Sequence, residues 1–116
     1  MNNLNKIFSL MISVFITASA CAGSVSSGKE LVDKNNCISC HGPDLKNPIA
    51  PAYPKIAGQY EDYIYFALKA YQVENNPHVG RANAIMGSQA KQFSHSQLRD
   101  IAAYVSSLPG DFVVKK

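Results

Sequence analysis

Cys37-Ile38-Ser39-Cys40-His41 decides how this chain is read. C-x-x-C-H is the attachment signature of a c-type haem. The two thiols add to the haem vinyl groups, and the histidine beside them ligates the iron. On a helical turn, residues at i, i+3 and i+4 share one face. Cys37, Cys40 and His41 therefore all reach one haem, two at its edge and one at its centre. A bare CxxC has other uses. A thioredoxin-like dithiol needs a βαβ context, and no β-rich run flanks this one. A zinc site needs four ligands, and the only other cysteine is Cys21.

N-terminal to the motif, the chain reads as an export signal. Lys6 supplies a positive start, Ile7 to Ala18 is a nearly continuous apolar run, and Ala18-Ser19-Ala20 gives a small-residue cleavage pattern. The run is shorter than the roughly 20 residues that span a bilayer; a retained anchor helix is the alternative. Export agrees with haem attachment, which in bacteria takes place outside the cytoplasm. The expected division is a signal peptide over 1–22, cleaved near 20–22, and one domain over 23–116 in the periplasm. Cys21 has two outcomes. Cleavage just before it leaves a lipidated N-terminal cysteine and a membrane anchor, although Ala18 stands where that pattern favours leucine. Cleavage after Ala22 discards it.

What remains is one small domain. A chain of this size buries a modest share of its surface and needs a staple. A covalent haem is such a staple, and without it the chain is expected to be weakly folded. Charge says little: eleven Lys and Arg stand against eight Asp and Glu. No basic run or aromatic-interleaved patch points to nucleic acid.

Toward the C-terminus the pattern is helical. Ser27 is expected to cap a first helix running through Leu31 and Val32 toward Cys37, with Gly42-Pro43 stopping it past the histidine. Pro48, Pro51 and Pro54 make the next segment a loop. Gln59 to about Val73 is the clearest helix. Tyr60, Tyr63, Ile64, Ala67, Leu68 and Tyr71 form its apolar stripe, with Glu61, Asp62, Lys69 and Gln72 opposite. Asn75-Asn76-Pro77 ends it. A polar loop follows to Phe93. Ser94-His95-Ser96-Gln97 matches a capping box and opens a last helix with Leu98, Ile101, Ala102, Val105 and Leu108 on one face, stopped by Pro109-Gly110. No segment reads as a strand, so the class is all-α.

A haem iron held by His41 needs an account of its other face. Met1 and Met11 leave with the leader, so Met86, 45 residues after His41, is the only methionine of the mature chain. A soft, neutral thioether favours ferrous iron and raises the potential. A lone methionine is also core filler, but Arg81-Ala82-Asn83-Ala84-Ile85 and Gly87-Ser88 are not a core-like setting. His78 and His95 are rivals, the first in a polar segment, the second inside the capping box where it faces solvent.

With these features in place, the chain resembles the class I c-type cytochromes. The order is an N-terminal helix, CISCH, Pro54-Lys55-Ile56-Ala57-Gly58-Gln59, a middle amphipathic helix, a methionine, and a helix with Ile101-Ala102-Ala103-Tyr104-Val105. PKIAGQ and RANAIM look most like small monohaem bacterial cytochromes and single lobes of dihaem ones. The resemblance covers about Gly28 to Pro109, the expected core 28–109. It implies three main helices plus loops wrapped around one covalent haem c. It also implies crossed terminal helices, with Gly28, Leu31 and Val32 near Ile101 and Tyr104. Pro54 would offer its carbonyl to His41. Arg81 and Asn83 would bind a propionate or steady the methionine loop. Pro43-Asp44 departs from the glycine-rich turn usual after the histidine.

The expected function is electron transfer between redox protein partners, with both axial positions filled and no bond chemistry, so not an enzyme. The alternatives are a haem-bearing subunit of a dehydrogenase or oxidase complex and, third, a haem sensor or peroxidase-type enzyme with an open iron position.

Overall fold

The structure, a computed structural model, describes residues 22–73, 78 and 80–111. The predicted leader up to Cys21, the Asn75-Asn76-Pro77 stop and the tail from 112 lie outside the described residues. Five helices follow in order among the described residues: α1 Val25–Lys34, α2 Ile38–His41, α3 Glu61–Gln72, α4 Ala84–Lys91 and α5 His95–Ser107. There is no strand among the described residues. None of these helices is long and apolar enough to cross a membrane.

Helix α1 starts earlier than the sequence suggests. Ser24, not Ser27, is the N-cap, and its side chain accepts from the Ser27 N–H at 3.3 Å. Ser24, Ser26 and Ser27 carry the same capping oxygen, so local pattern does not choose between them. The choice is tertiary: the Ser24 N–H also donates to Asp100 Oδ1 of α5 at 2.7 Å.

Nor does α1 run on into the motif. Asn36 takes a left-handed φ of 54°. The Cys37 N–H reaches back to the Val32 carbonyl at 3.3 Å and the Asn36 N–H to the Asp33 carbonyl at 3.4 Å. That pair of bonds is a Schellman stop, and asparagine tolerates the conformation better than most residues. The chain then restarts as α2, and Gly42, at φ 86°, closes it.

The capping box of α5 is present in both directions, Ser94 to the Gln97 N–H and Gln97 back to the Ser94 N–H. Leu98, Ile101, Ala102 and Val105 turn inward from this helix. They meet Val32 of α1, Ile64 and Tyr65 of α3, and Leu45, Ala57 and Phe93 from the connections. Helix α5 is the hub, with α1 and α3 against it, and α4 rides on α3. The α1–α5 crossing is close because Gly28 lies directly on the Asp100 carbonyl and the Tyr104 Cβ.

Two expectations for the middle of the chain are corrected. In α3, Ile64 and Tyr65 are buried while Tyr60 and Tyr63 of the expected stripe are exposed. Tyr65 turns in because α5 offers it a partner: the Arg99 guanidinium lies 3.6 Å from its ring centre and pairs with Asp62 at 2.6 Å. The segment around Met86 is a helix, α4, rather than a loop. Asn83 caps it, and Ala84, Ile85, Met86, Gln89, Ala90 and Lys91 outweigh Gly87 and Ser88 in helix preference.

Candidate functional site

Helix α2 is a single turn, and its geometry follows from the stop at Asn36. The His41 N–H donates to the Cys37 carbonyl at 3.1 Å, and the Cys40 N–H to the same carbonyl at 3.3 Å. Cys37, Cys40 and His41 thus sit on one turn, the two thiols free and half-buried. Burial pushes the Cys37 thiol above its usual range, with Cys40 and Asp33 adding to the effect. It is therefore a neutral thiol at neutral pH.

His41 is buried, at 6% exposure. Its Nδ1 lies 2.8 Å from the Pro54 carbonyl oxygen. A carbonyl oxygen only accepts, so Nδ1 carries a proton, and in the neutral ring that leaves the lone pair on Nε2. The Tyr53 ring stands edge-on to the imidazole, with centroids 6.5 Å apart.

The loop that brings Pro54 to His41 is fastened at several points. The Leu45 carbonyl accepts from the Ile56 N–H at 2.8 Å and from the Ala57 N–H at 3.0 Å. The Gly58 N–H donates to Val105 of α5 at 2.9 Å, and the Ile49 N–H to the Cys40 carbonyl at 3.2 Å. Leu45 holds a left-handed φ of 56° with its side chain 1% exposed. A leucine there is strained by about 1–2 kcal/mol, so the fastening and the burial outweigh that cost. In the turn before it, Asp44 accepts from the Lys46 and Asn47 N–H groups. Those bonds, Lys46 first, hold its carboxyl below the usual range.

Met86 is the third residue of α4 and half-buried. The Asn83 side-chain oxygen accepts from the Met86 N–H at 2.9 Å, and the Asn83 carbonyl accepts from Gly87 at 2.8 Å. Arg81 turns instead to α3. Its guanidinium donates to the Tyr63 hydroxyl at 3.0 Å and lies 5.5 Å from the centres of both the Tyr63 and Tyr71 rings. The structure thus joins His41 to Pro54 and Asn83 to Met86, and places Arg81 on tyrosines. His78 sits in an exposed turn and His95 is exposed in the first turn of α5.

Sequence reasoning missed three contributors. Leu45 gave no signal, because its role rests on a backbone conformation. Tyr53 stood beside a proline in a loop. Gln72 was placed on the outer face of α3, yet its amide reaches across to the end of α4.

The residues present fit a haem. Two free thiols and an imidazole with a free Nε2 lie on one turn, with a thioether on a separate capped helix. The surface beside the motif is apolar: Ile38 within it and Ile49, whose N–H bonds to the Cys40 carbonyl, are 37 and 68% exposed. Exposed apolar surface gathered around one motif marks a binding site.

Comparison with known proteins bears on the same region. The family model described as Cytochrome c matches residues 25–109. The chain is 35% identical over 86 residues to cytochrome c-554(548) of Halomonas halodenitrificans, covering 74% of this chain and 98% of that protein. It is 37% identical over 113 residues to cytochrome c4 of Stutzerimonas stutzeri, covering 92% of this chain and 52% of that one. The crystal structure of reduced recombinant cytochrome c4 from Pseudomonas stutzeri superposes with a TM-score of 0.67 at 36% identity, over 78% of this chain and 48% of that chain. The chain therefore spans nearly the whole of one relative and about half of the others.

Proposed function

This chain belongs to the cytochrome c family, a family of electron-transfer proteins with covalently attached haem c, and on that premise we propose that it is an exported, single-haem electron carrier with histidine–methionine ligation. Cys37 and Cys40 would hold the haem covalently, and His41 Nε2 and the Met86 sulfur would ligate its iron. Bound there, the haem supplies a one-electron iron couple.

The observation that carries this reading is the buried His41 with Nδ1 held at 2.8 Å from the Pro54 carbonyl. That contact selects the tautomer whose Nε2 has a lone pair to give, and it fixes the orientation of the ring. Asn83 supports the other side by capping the helix that carries Met86. A neutral thioether favours the lower charge state. With both axial positions taken by side chains, no substrate reaches the metal, so the chain moves electrons and catalyses no bond change. Donor and acceptor are redox proteins, met through a small, transient contact.

Export rests on Lys6, the Ile7–Ala18 apolar run and Ala18-Ser19-Ala20. It places a domain of 23–116 in the periplasm, with a lipid anchor only if Cys21 becomes the processed N-terminus.

The test is an optical spectrum of protein made with a c-haem maturation system. The oxidised form is expected to show a long-wavelength sulfur-to-iron band that Met86→Ala abolishes. A high-spin haem lacking that band in the unsubstituted protein refutes the Met86 assignment. Absence of covalent haem refutes the whole reading.

A further inference from the structure

The last turn of α3 is in contact with α4 through three successive residues. The Ala70 carbonyl accepts from the Arg81 N–H at 3.0 Å, just ahead of α4. The Tyr71 carbonyl faces Gly87, which is buried in the middle of α4. Gln72 closes the set: its side-chain Nε2 donates to the Ala90 carbonyl and to the Phe93 carbonyl, both at 2.8 Å. Those two oxygens belong to the end of α4 and the residue that leads into α5.

The chemistry of the Gln72 contact is specific. The last carbonyls of a helix have no partner within it and need donors from elsewhere. The Ala90 carbonyl also receives the Gln92 and Phe93 N–H groups, so the Gln72 amide matters most at the carbonyl of Phe93, a residue 9% exposed. One primary amide presents two hydrogens from one nitrogen, and here both are used on α4's end. The α4 core is otherwise thin: of its eight residues only Gly87 and Ala90 are buried. A helix with so little apolar burial is placed by its polar attachments.

We propose that Gln72 is a positioning residue for Met86, holding α4 so that the methionine sulfur stays at its axial position. This rests on the reading of Met86 as the sixth ligand. Gln72 does not touch the iron. It acts by keeping α4 against α3, so that loosening it lets the sulfur leave more often while the turn carrying His41 is untouched.

Added imidazole competes with the sulfur for ferric iron, so its apparent affinity reports how often Met86 is off. The experiment titrates imidazole into oxidised holoprotein and follows the sulfur-to-iron band. Gln72→Met keeps length and removes both donors. It is expected to bind imidazole about tenfold more tightly than the unsubstituted protein, the size of losing a net hydrogen bond or two. Gln72→Lys, an unbranched donor suited to helix-end carbonyls, is expected to stay within about twofold. Ser24→Ala weakens the fold at the α1 cap, remote from this contact, and is expected to leave imidazole affinity unchanged.

A Gln72→Met protein that binds imidazole as the unsubstituted one does, with its band normal, overturns the proposal while leaving Met86 as ligand. A Gln72→Lys protein as loose as Gln72→Met, or a Ser24→Ala protein as loose, also overturns it. If the band is missing from the unsubstituted protein or survives Met86→Ala, the ligand reading has failed, and the positioning role falls with it.

Discussion

Gly28 of α1 and Tyr104 of α5 approach so closely that a Cβ on the glycine would sit 2.8 Å from the tyrosine Cβ and would run into the Asp100 carbonyl. Backbone atoms block it, and backbone cannot swing aside. Gly28→Ala gains about 1 kcal/mol of helix preference but must force α1 off α5, at about 1–3 kcal/mol or more for overpacking. The net expectation is a destabilised holoprotein with a lower denaturant midpoint. An unchanged or raised midpoint would falsify the close-crossing account.

The cap of α4 is expected to matter for Met86, the proposed ligand that this helix carries. Asn83→Ala removes the acceptor for the Met86 N–H, at a cost of about 1 kcal/mol to the helix. The sulfur-to-iron band of the oxidised protein should disappear at lower denaturant than in the unsubstituted protein. Asn83→Asp, which keeps the acceptor, should hold the band close to normal.

Leu45 combines a strained backbone with a fully buried side chain. Leu45→Ala leaves the strain and opens a cavity, with an expected loss of about 2–5 kcal/mol. Leu45→Gly relieves the strain and also opens the cavity, so it should be less damaging than alanine here, the reverse of the usual order. Equilibrium denaturation of both variants checks the order; alanine milder than glycine would count against a strained Leu45.

Acid should weaken the loop beside His41. The Lys46 and Asn47 N–H groups hold the Asp44 carboxyl below its ordinary value of 3.8. A depressed carboxyl contributes stability above its unfolded value and loses it as pH falls through the folded one. At pH 6 the unsubstituted protein should melt above Asp44→Asn, and the gap should narrow as pH drops below about 4. Melting curves of the pair from pH 6 to pH 3 test this, and a gap that widens on acidification contradicts it.

Features written in local pattern were legible. The S-x-x-Q capping box announces α5, the i, i+3, i+4 stripe announces a helix after Gly58, and the spacing of Cys37, Cys40 and His41 requires one turn. What stayed hidden was settled at a distance. Which serine caps α1 depends on Asp100, remote in sequence. Tyr65 turns inward because Arg99 waits on α5. Gln72 reads as a solvated residue until α4 is placed beside it. The break at Asn36 lies between these cases: asparagine is a permissible helix stop, but the stronger Gly42-Pro43 signal further on masked it.

The pairing of α1 with α5 has a consequence for the order of events in the chain's life. It joins the first described helix to the last, so the core cannot close until α5 has been synthesised. Until then the turn bearing the two thiols belongs to an open chain whose late, long-range contact is the slow one. Haem attachment has that interval in which to work on an accessible peptide, and closure of the terminal helices afterwards seals the product in place.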